Sequence, residues 1–193
     1  SARGLSVGKR ERKTGQHCSS TTELVFEDCF VPGTALIGEE GEGLSIALES
    51  IDKSRVSVAA QALGIASAAY DEAVRYSKER QAFDRALGQM QAIQWMLADS
   101  ATELEVARLL TYRAAWLIDH GNVAIKESAM AKLFSSEAAG RICHRAVQIF
   151  GGYGYTRDAP VERYARDQRV TEIYEGTSEM QRWAIARQVL GVK

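Results

Sequence analysis

Proline is nearly absent from this chain: of 193 residues only Pro32 and Pro160 carry the locked ring. The long stretch between them therefore holds no obligatory helix breaker. Cysteine is scarce too. Cys18, Cys29 and Cys143 are odd in number and have no CxxC spacing, which excludes a disulfide framework and a zinc ribbon. Neither sign of charge dominates, with 24 Lys and Arg against 25 Asp and Glu, so there is no field to gather nucleic acid or an anionic membrane. No run of 18 apolar residues and no basic-then-apolar leader occurs, and the reading is of a soluble, intracellular protein without a membrane span. The three histidines, His17, His120 and His144, lack any Glu-x-x-His partner, so a di-iron bundle is excluded and no metal site is predicted.

What is present is helical periodicity behind a short β-rich segment. Residues 1 to about 38 hold "GLSVG", "TTELVFEDCFVP" and "ALIG", short β-type runs broken by Gly and Pro. After the loop "GEEGEG", a helix is predicted from about Leu44 to Arg80; its Ala-, Ser- and Gly-rich middle suits a buried central helix. A second, about Gly88 to His120, carries the stripe Met90, Ile93, Leu97, Ala101, Leu104, Ala107 and Leu110. A third, about Val123 to Phe150, ends at "GGYGY", and a short helix follows near Val161 to Arg166. Ser178 and Gln181 fit a capping box opening a last helix, about Glu179 to Leu190. Met180, Trp183, Ala184, Arg187, Val189 and Leu190 are expected to turn one face of it to the bundle, and Trp95, Trp116 and Trp183 to lie in the core or an interface. The fold class is mainly α: an up-down four-helix bundle at 39–193 preceded by a β-rich segment at 1–38.

Three local patterns could carry chemistry. In "IYEGTSEMQR", Glu175 sits in a turn that Gly176 permits, just before a helix start. The helix dipole favours its charged form while desolvation raises its pKa. Taken alone, such a carboxylate is more often a surface or cap residue. In "GGYGYTRDAP" the glycines let backbone amides approach a phosphate or a ring, yet they close a helix rather than open one, so this is no dinucleotide fingerprint. "SKERQAF" offers Arg80 and Phe83 for an anion and a flat ring, although a solvated helix end is the commoner reading.

Taken in order, "DKSR", "SKERQAF", "VQIFGGYGYTRDAPVERYARDQRV" and "IYEGTSEMQR" closely resemble the C-terminal half of the acyl-CoA dehydrogenase flavoenzymes. The resemblance covers essentially the whole chain: residues 1–38 are similar to the last strands of that family's middle β-domain, an incomplete β-barrel here, and 39–193 to its C-terminal helical domain. It implies that a carboxylate removes the α-proton of an acyl-CoA thioester while a β-hydride passes to flavin N5. The YEGT glutamate, Glu175, would be that base, with its own N–H as one enolate donor.

The same resemblance makes Asp52, Arg55, Tyr174 and Gly176 substrate-side residues. It makes Arg80, Phe83, Gln91, Gln148, Gly151, Gly152, Thr177 and Glu179 contacts to FAD, Arg80 and Phe83 to that of a neighbouring subunit. Where the family has R-x-x-F-G, Asp84 replaces the glycine here. The implied partners are an acyl-CoA, an electron-transfer flavoprotein as acceptor, and further copies in a homotetramer or dimer. The implied location is the bacterial cytoplasm or the mitochondrial matrix. The first helical domain and the early β-strands of that family have no counterpart in these residues, so the chain alone is expected to bind FAD weakly or not at all. Alternatives are a non-catalytic helical oligomerisation module, a flavin oxidase or a decarboxylating relative on the same fold.

Overall fold

Free of proline, the central stretch winds into three long helices in the computed structural model, which describes residues 2–192: α1 (Gly43–Glu79), α2 (Gln91–Asp119) and α3 (Ile125–Phe150). Two shorter helices follow, α4 (Val161–Gln168) directly after Pro160, and α5 (Ser178–Leu190), closed by Gly191 in the left-handed conformation. All five lie within a few residues of their expected bounds. α2 begins later than periodicity suggests because Leu87–Gln89 forms a 3-10 turn first.

Ahead of the bundle, strands β1 (Leu5–Arg10) and β2 (Thr22–Phe26) pair antiparallel with Leu5 opposite Phe26 and Val7 opposite Leu24. The loop joining them is tied to α4: Gln16 N donates to Asp167 Oδ1 at 2.6 Å and Arg166 donates to the Thr14 carbonyl at 2.9 Å. Gly15 makes this approach possible, since a Cβ there would meet the Arg166 carbonyl oxygen at 2.4 Å. A second, minimal hairpin, β3 (Gln81–Ala82) with β4 (Arg85–Ala86), links α1 to α2. Its two loop residues, Phe83 and Asp84, both have positive φ, 53° and 59°. That is the twist a two-residue hairpin demands, and aspartate tolerates it better than most side chains. Asp84 thus keeps the turn that a glycine would otherwise make.

The core is built from small residues. Ala62 and Ala66 of α1, Ala107 of α2 and Ala138 and Ala139 of α3 pack with Leu63, Leu104 and Ile142 in one cluster. Ala69, Ala73, Cys143, Ala146, Ile149 and Phe150 continue it toward α4. Side chains this short let helix axes approach closely.

Two sequence expectations are corrected. The most enclosed helix is α3, not α1: α3 touches α1, α2, α4 and α5 and is buried on several sides, whereas the first turns of α1 are exposed. α5 turns Ser178, Gln181 and Ala184 inward and leaves Met180, Trp183, Val189 and Leu190 exposed. Of the two places expected for Trp95, Trp116 and Trp183, core or interface, the core is ruled out, since each is more than half exposed. On α5 the buried Gln181 has hydrogen-bond work in the interior, and it takes the place of an apolar residue there.

Ile142 is 1% exposed at the centre of the first cluster and Leu190 is 71% exposed. Ile142→Ala should cost about 2–5 kcal/mol in chemical denaturation, and Leu190→Ala about 0.5 kcal/mol or less. Equal costs would contradict this assignment of the core.

Candidate active site

The turn before α5 is held in a conformation its residues do not prefer. Glu175 has φ of 53°, in the left-handed region, and Gly176 follows with φ of 88°. A non-glycine residue there costs of order 1–3 kcal/mol and persists only where surroundings determine it. The surroundings are two buried polar side chains. Gln181, fully buried on α5, donates from Nε2 to the carbonyls of Glu175 at 3.1 Å and Gly176 at 2.9 Å. Lys132, fully buried on α3, donates from Nζ to the Gly176 carbonyl at 2.8 Å. A side chain at Gly176 would also collide with Gln181 Nε2, at 2.8 Å.

This corrects the expected capping box. The residue capping α5 is Thr177, whose hydroxyl accepts from Met180 N at 3.4 Å, while Ser178 already lies inside the helix and its hydroxyl is buried without a partner. Gln181 is therefore free of the cap and spans back to the turn. Glu179, in the first turn, has its carboxyl pKa lowered by its own backbone N–H and then by the Thr177 hydroxyl.

From the other side α1 presents "DKSR". Ser54 Oγ donates to Glu175 Oε2 at 2.7 Å and lies 3.0 Å from the Ile51 carbonyl. One turn of helix brings Arg55 Nη1 to 2.7 Å from Asp52 Oδ1, an ion pair whose alignment leaves Nη1 and Nε without a hydrogen-bond acceptor. Tyr174 packs in the same region and donates its hydroxyl to Gln61 Oε1. Burial pushes the Tyr174 phenol up, partly opposed by the Gln61 hydrogen bond and reinforced by the Glu175 carboxylate. Burial also lowers Lys132, to about 8, against the raising effect of the Glu172 carboxylate; Arg55 lowers it further and Glu175 raises it. The arrangement is a carboxylate with one oxygen fixed, beside a guanidinium and a buried ammonium. Such a group can accept a proton from a bound molecule in a site from which water is excluded.

So the structure brings Glu175, Tyr174, Gly176, Thr177, Glu179, Asp52 and Arg55 to one place. Arg80, Phe83, Gly151 and Gly152 lie elsewhere. Ser54 and Glu79 on α1 are separated by about 37 Å of helix at 1.5 Å per residue, which puts this second group at the opposite end of the bundle. There a groove of about 460 Å³ is lined by Arg80, Leu87, Gly151, Gly152 and Tyr153, with Tyr76 stacked on Phe150 at 4.1 Å. Gly151 has φ of 61°, and at both glycines a Cβ would meet nothing within 4 Å, so a ligand has unobstructed access to the backbone. A guanidinium over the Tyr153 ring at 5.9 Å, bare backbone and stacked rings suit a phosphate joined to a flat ring system. Gln91 and Gln148 are exposed nearby in sequence but do not line the groove, and Phe83 is 88% exposed.

Sequence reasoning overlooked Ser54, Lys132 and Gln181. Ser54 stood inside a quoted motif; a lysine among Ala and Ser at an apolar helical phase was the signal for Lys132.

Comparison with known proteins gives a consistent result. Residues 41–190 match the family model "Acyl-CoA dehydrogenase, C-terminal domain". The mitochondrial short-chain specific acyl-CoA dehydrogenase of Rattus norvegicus is 54% identical over 97% of this chain and 45% of its own length. Butyryl-CoA dehydrogenase from Megasphaera elsdenii superposes with a TM-score of 0.97 at 46% identity, covering 98% of this chain and 49% of that one. A chain in a structure of the electron transferring flavoprotein of Acidaminococcus fermentans also gives a TM-score of 0.97, at 51% identity, covering 98% of this chain and 50% of that one. This chain thus spans about half the length of the relatives it matches.

The Lys132 ammonium yields a pH signature. Its pKa is about 8 when folded against 10.5 ordinarily, so between those values the unfolded chain binds more protons and stability rises with pH. Burying the charged form therefore costs folding below about pH 8, and that cost, about 3 kcal/mol, is relieved by pH 10.5. Denaturation curves of the wild type and Lys132→Met across this range should diverge by that amount in favour of the wild type at high pH. Parallel curves would show that Lys132 titrates normally.

Proposed function

Because this chain belongs to the acyl-CoA dehydrogenase family, we propose that it supplies the base for FAD-dependent α,β-dehydrogenation of an acyl-CoA thioester, with Glu175 removing the α-proton. Residues 1–38 are assigned to the end of a middle β-domain and 39–193 to the C-terminal helical domain. The observation that carries the reading is the Glu175 turn: a strained backbone, anchored from α3 and α5, aiming a carboxylate whose Oε2 alone is engaged.

A thioester α-proton is weakly acidic, so its removal needs a positioned base and a donor for the developing enolate oxygen. The backbone N–H of Glu175 makes no backbone hydrogen bond among the described residues and serves as one such donor. Tyr174, fixed by Gln61, walls the site against water, and Asp52 with Arg55 flanks it on the substrate side. Likeness to a short-chain specific relative favours short acyl chains as substrates. FAD, when bound, supplies the acceptor for the β-hydride. Arg80, Phe83, Gln91, Gln148, Gly151 and Gly152 at one end of the bundle, and Thr177 and Glu179 at the other, are its proposed holders.

The two ends are too far apart to grip one dinucleotide from a single chain. That favours an assembly in which a second copy completes each site, as a dimer or tetramer. Exposed Leu109, Tyr112 and Trp116 along α2 suit such contacts. An electron-transfer flavoprotein is the proposed electron acceptor. The cytoplasm is the proposed location in a bacterium and the mitochondrial matrix in a eukaryote.

Glu175→Gln in the full-length enzyme should retain FAD and acyl-CoA binding while slowing anaerobic bleaching of the flavin by short acyl-CoAs about 10²–10⁴-fold or more. Bleaching at the wild-type rate would remove Glu175 from the role of base. The 193-residue chain by itself should bind FAD weakly or not at all, and a yellow, stoichiometrically flavinated preparation would overturn that expectation.

A further inference from the structure

The Ser54 hydroxyl has one proton and two acceptor sites, and two acceptors stand within its reach: Glu175 Oε2 at 2.7 Å and the Ile51 carbonyl at 3.0 Å. The carbonyl belongs to the preceding turn of the same helix, so a serine with no further task would satisfy itself there. Instead its oxygen lies at charge-assisted hydrogen-bond distance from a carboxylate 121 residues away in sequence. Glu175 Oε1 has no hydrogen-bond partner among the described residues.

We propose that Ser54 is the positioning residue of Glu175: its hydroxyl pins Oε2, sets the carboxylate plane, and makes Oε1 the oxygen that takes up a proton. The proposal rests on the reading of Glu175 as the base. A hydroxyl donating to Oε2 serves the carboxylate and equally the acid protonated on Oε1, in which Oε2 is the carbonyl oxygen. Proton uptake then needs no movement of either heavy atom.

Other titratable groups surround the same turn: Lys132 from α3 and Tyr174 beside it interact with the Glu175 carboxylate, Arg55, Glu172 and Glu179 act on Lys132, and Asp52 pairs with Arg55. Substituting Ser54 leaves all of them in place. Ser54→Ala is also benign for the helix, since alanine is the better helix former.

The test follows the Glu175 carboxyl carbon by NMR in the 193-residue chain labelled with ¹³C-glutamate, its signal assigned by loss in Glu175→Gln. At one fixed pH, Ser54→Ala should displace the Glu175 carboxyl signal, and Ser54→Thr should bring it back. In the full-length enzyme kcat should fall about tenfold with KM little changed, and Ser54→Thr should restore it. An undisplaced signal with an unchanged kcat in Ser54→Ala would overturn the proposal. If Glu175→Gln were to remain active while the displacement appeared, the hydrogen bond would stand and the base assignment would fall. If Glu175→Gln were inactive with no effect of Ser54→Ala, only the role of Ser54 would fall.

Discussion

A buried ammonium donating to one backbone carbonyl governs the site: Lys132 Nζ to Gly176 O. Lysine is among the residues least often found fully buried, because removing its charge from water is costly without compensation. Here the compensation is a carbonyl dipole and the nearby carboxylates Glu172, Glu175 and Glu179, and even so its pKa falls to about 8. Gln181 doubles the attachment from the opposite side. Without them the turn would have no reason to keep Glu175 at positive φ, and the carboxylate would not face Ser54. The turn is a small element whose geometry is imposed by side chains of two helices.

That attachment depends on how closely the helices pack. Lys132 enters from α3, the helix that touches every other, and its neighbours Ala129, Ala131, Ser135 and Ser136 are all buried. Replacing these by larger side chains would push α1 and α5 outward and separate Ser54 and Gln181 from the turn. The abundance of Ala and Ser is therefore a condition for the site as well as for the bundle. Close backbone approach brings three polar side chains from three helices to within hydrogen-bonding distance of one turn.

Much of this was legible in the sequence. Proline placement and hydrophobic period located every helix, because both act through local backbone sterics and burial. Glu175 stood out through its motif, and in the fold it lies against Ser54 of the stretch "DKSR". The roles of Ser178 and Gln181 were misread because Thr177-Ser178 offers two consecutive caps, and only tertiary packing decides between them. The inward face of α5 was misread for a related reason. Apolar period points Met180, Trp183 and Leu190 inward, but the interior beside the turn requires hydrogen-bond donors, and Gln181 meets that requirement. The hydrogen bonds of Ser54 and Lys132 could not be read from the sequence, since their partners are contacts across the fold with no fixed spacing.

The position of α1 gives the architecture its logic. One uninterrupted helix carries Ser54 and Arg55 toward the proposed base at one end and Arg80 toward the glycine-lined groove at the other. A rigid rod fixes the distance between these two sites, and that distance exceeds what one ligand bound within one chain could bridge. Each end is open: at one Gly151 and Gly152 leave the backbone accessible, and at the other Glu175 Oε1 has no hydrogen-bond partner among the described residues. On the proposed assignment, a single bundle holds two half-sites rather than one site. Two copies related by a two-fold axis could bring unlike ends together, and the symmetry would then complete both sites at once.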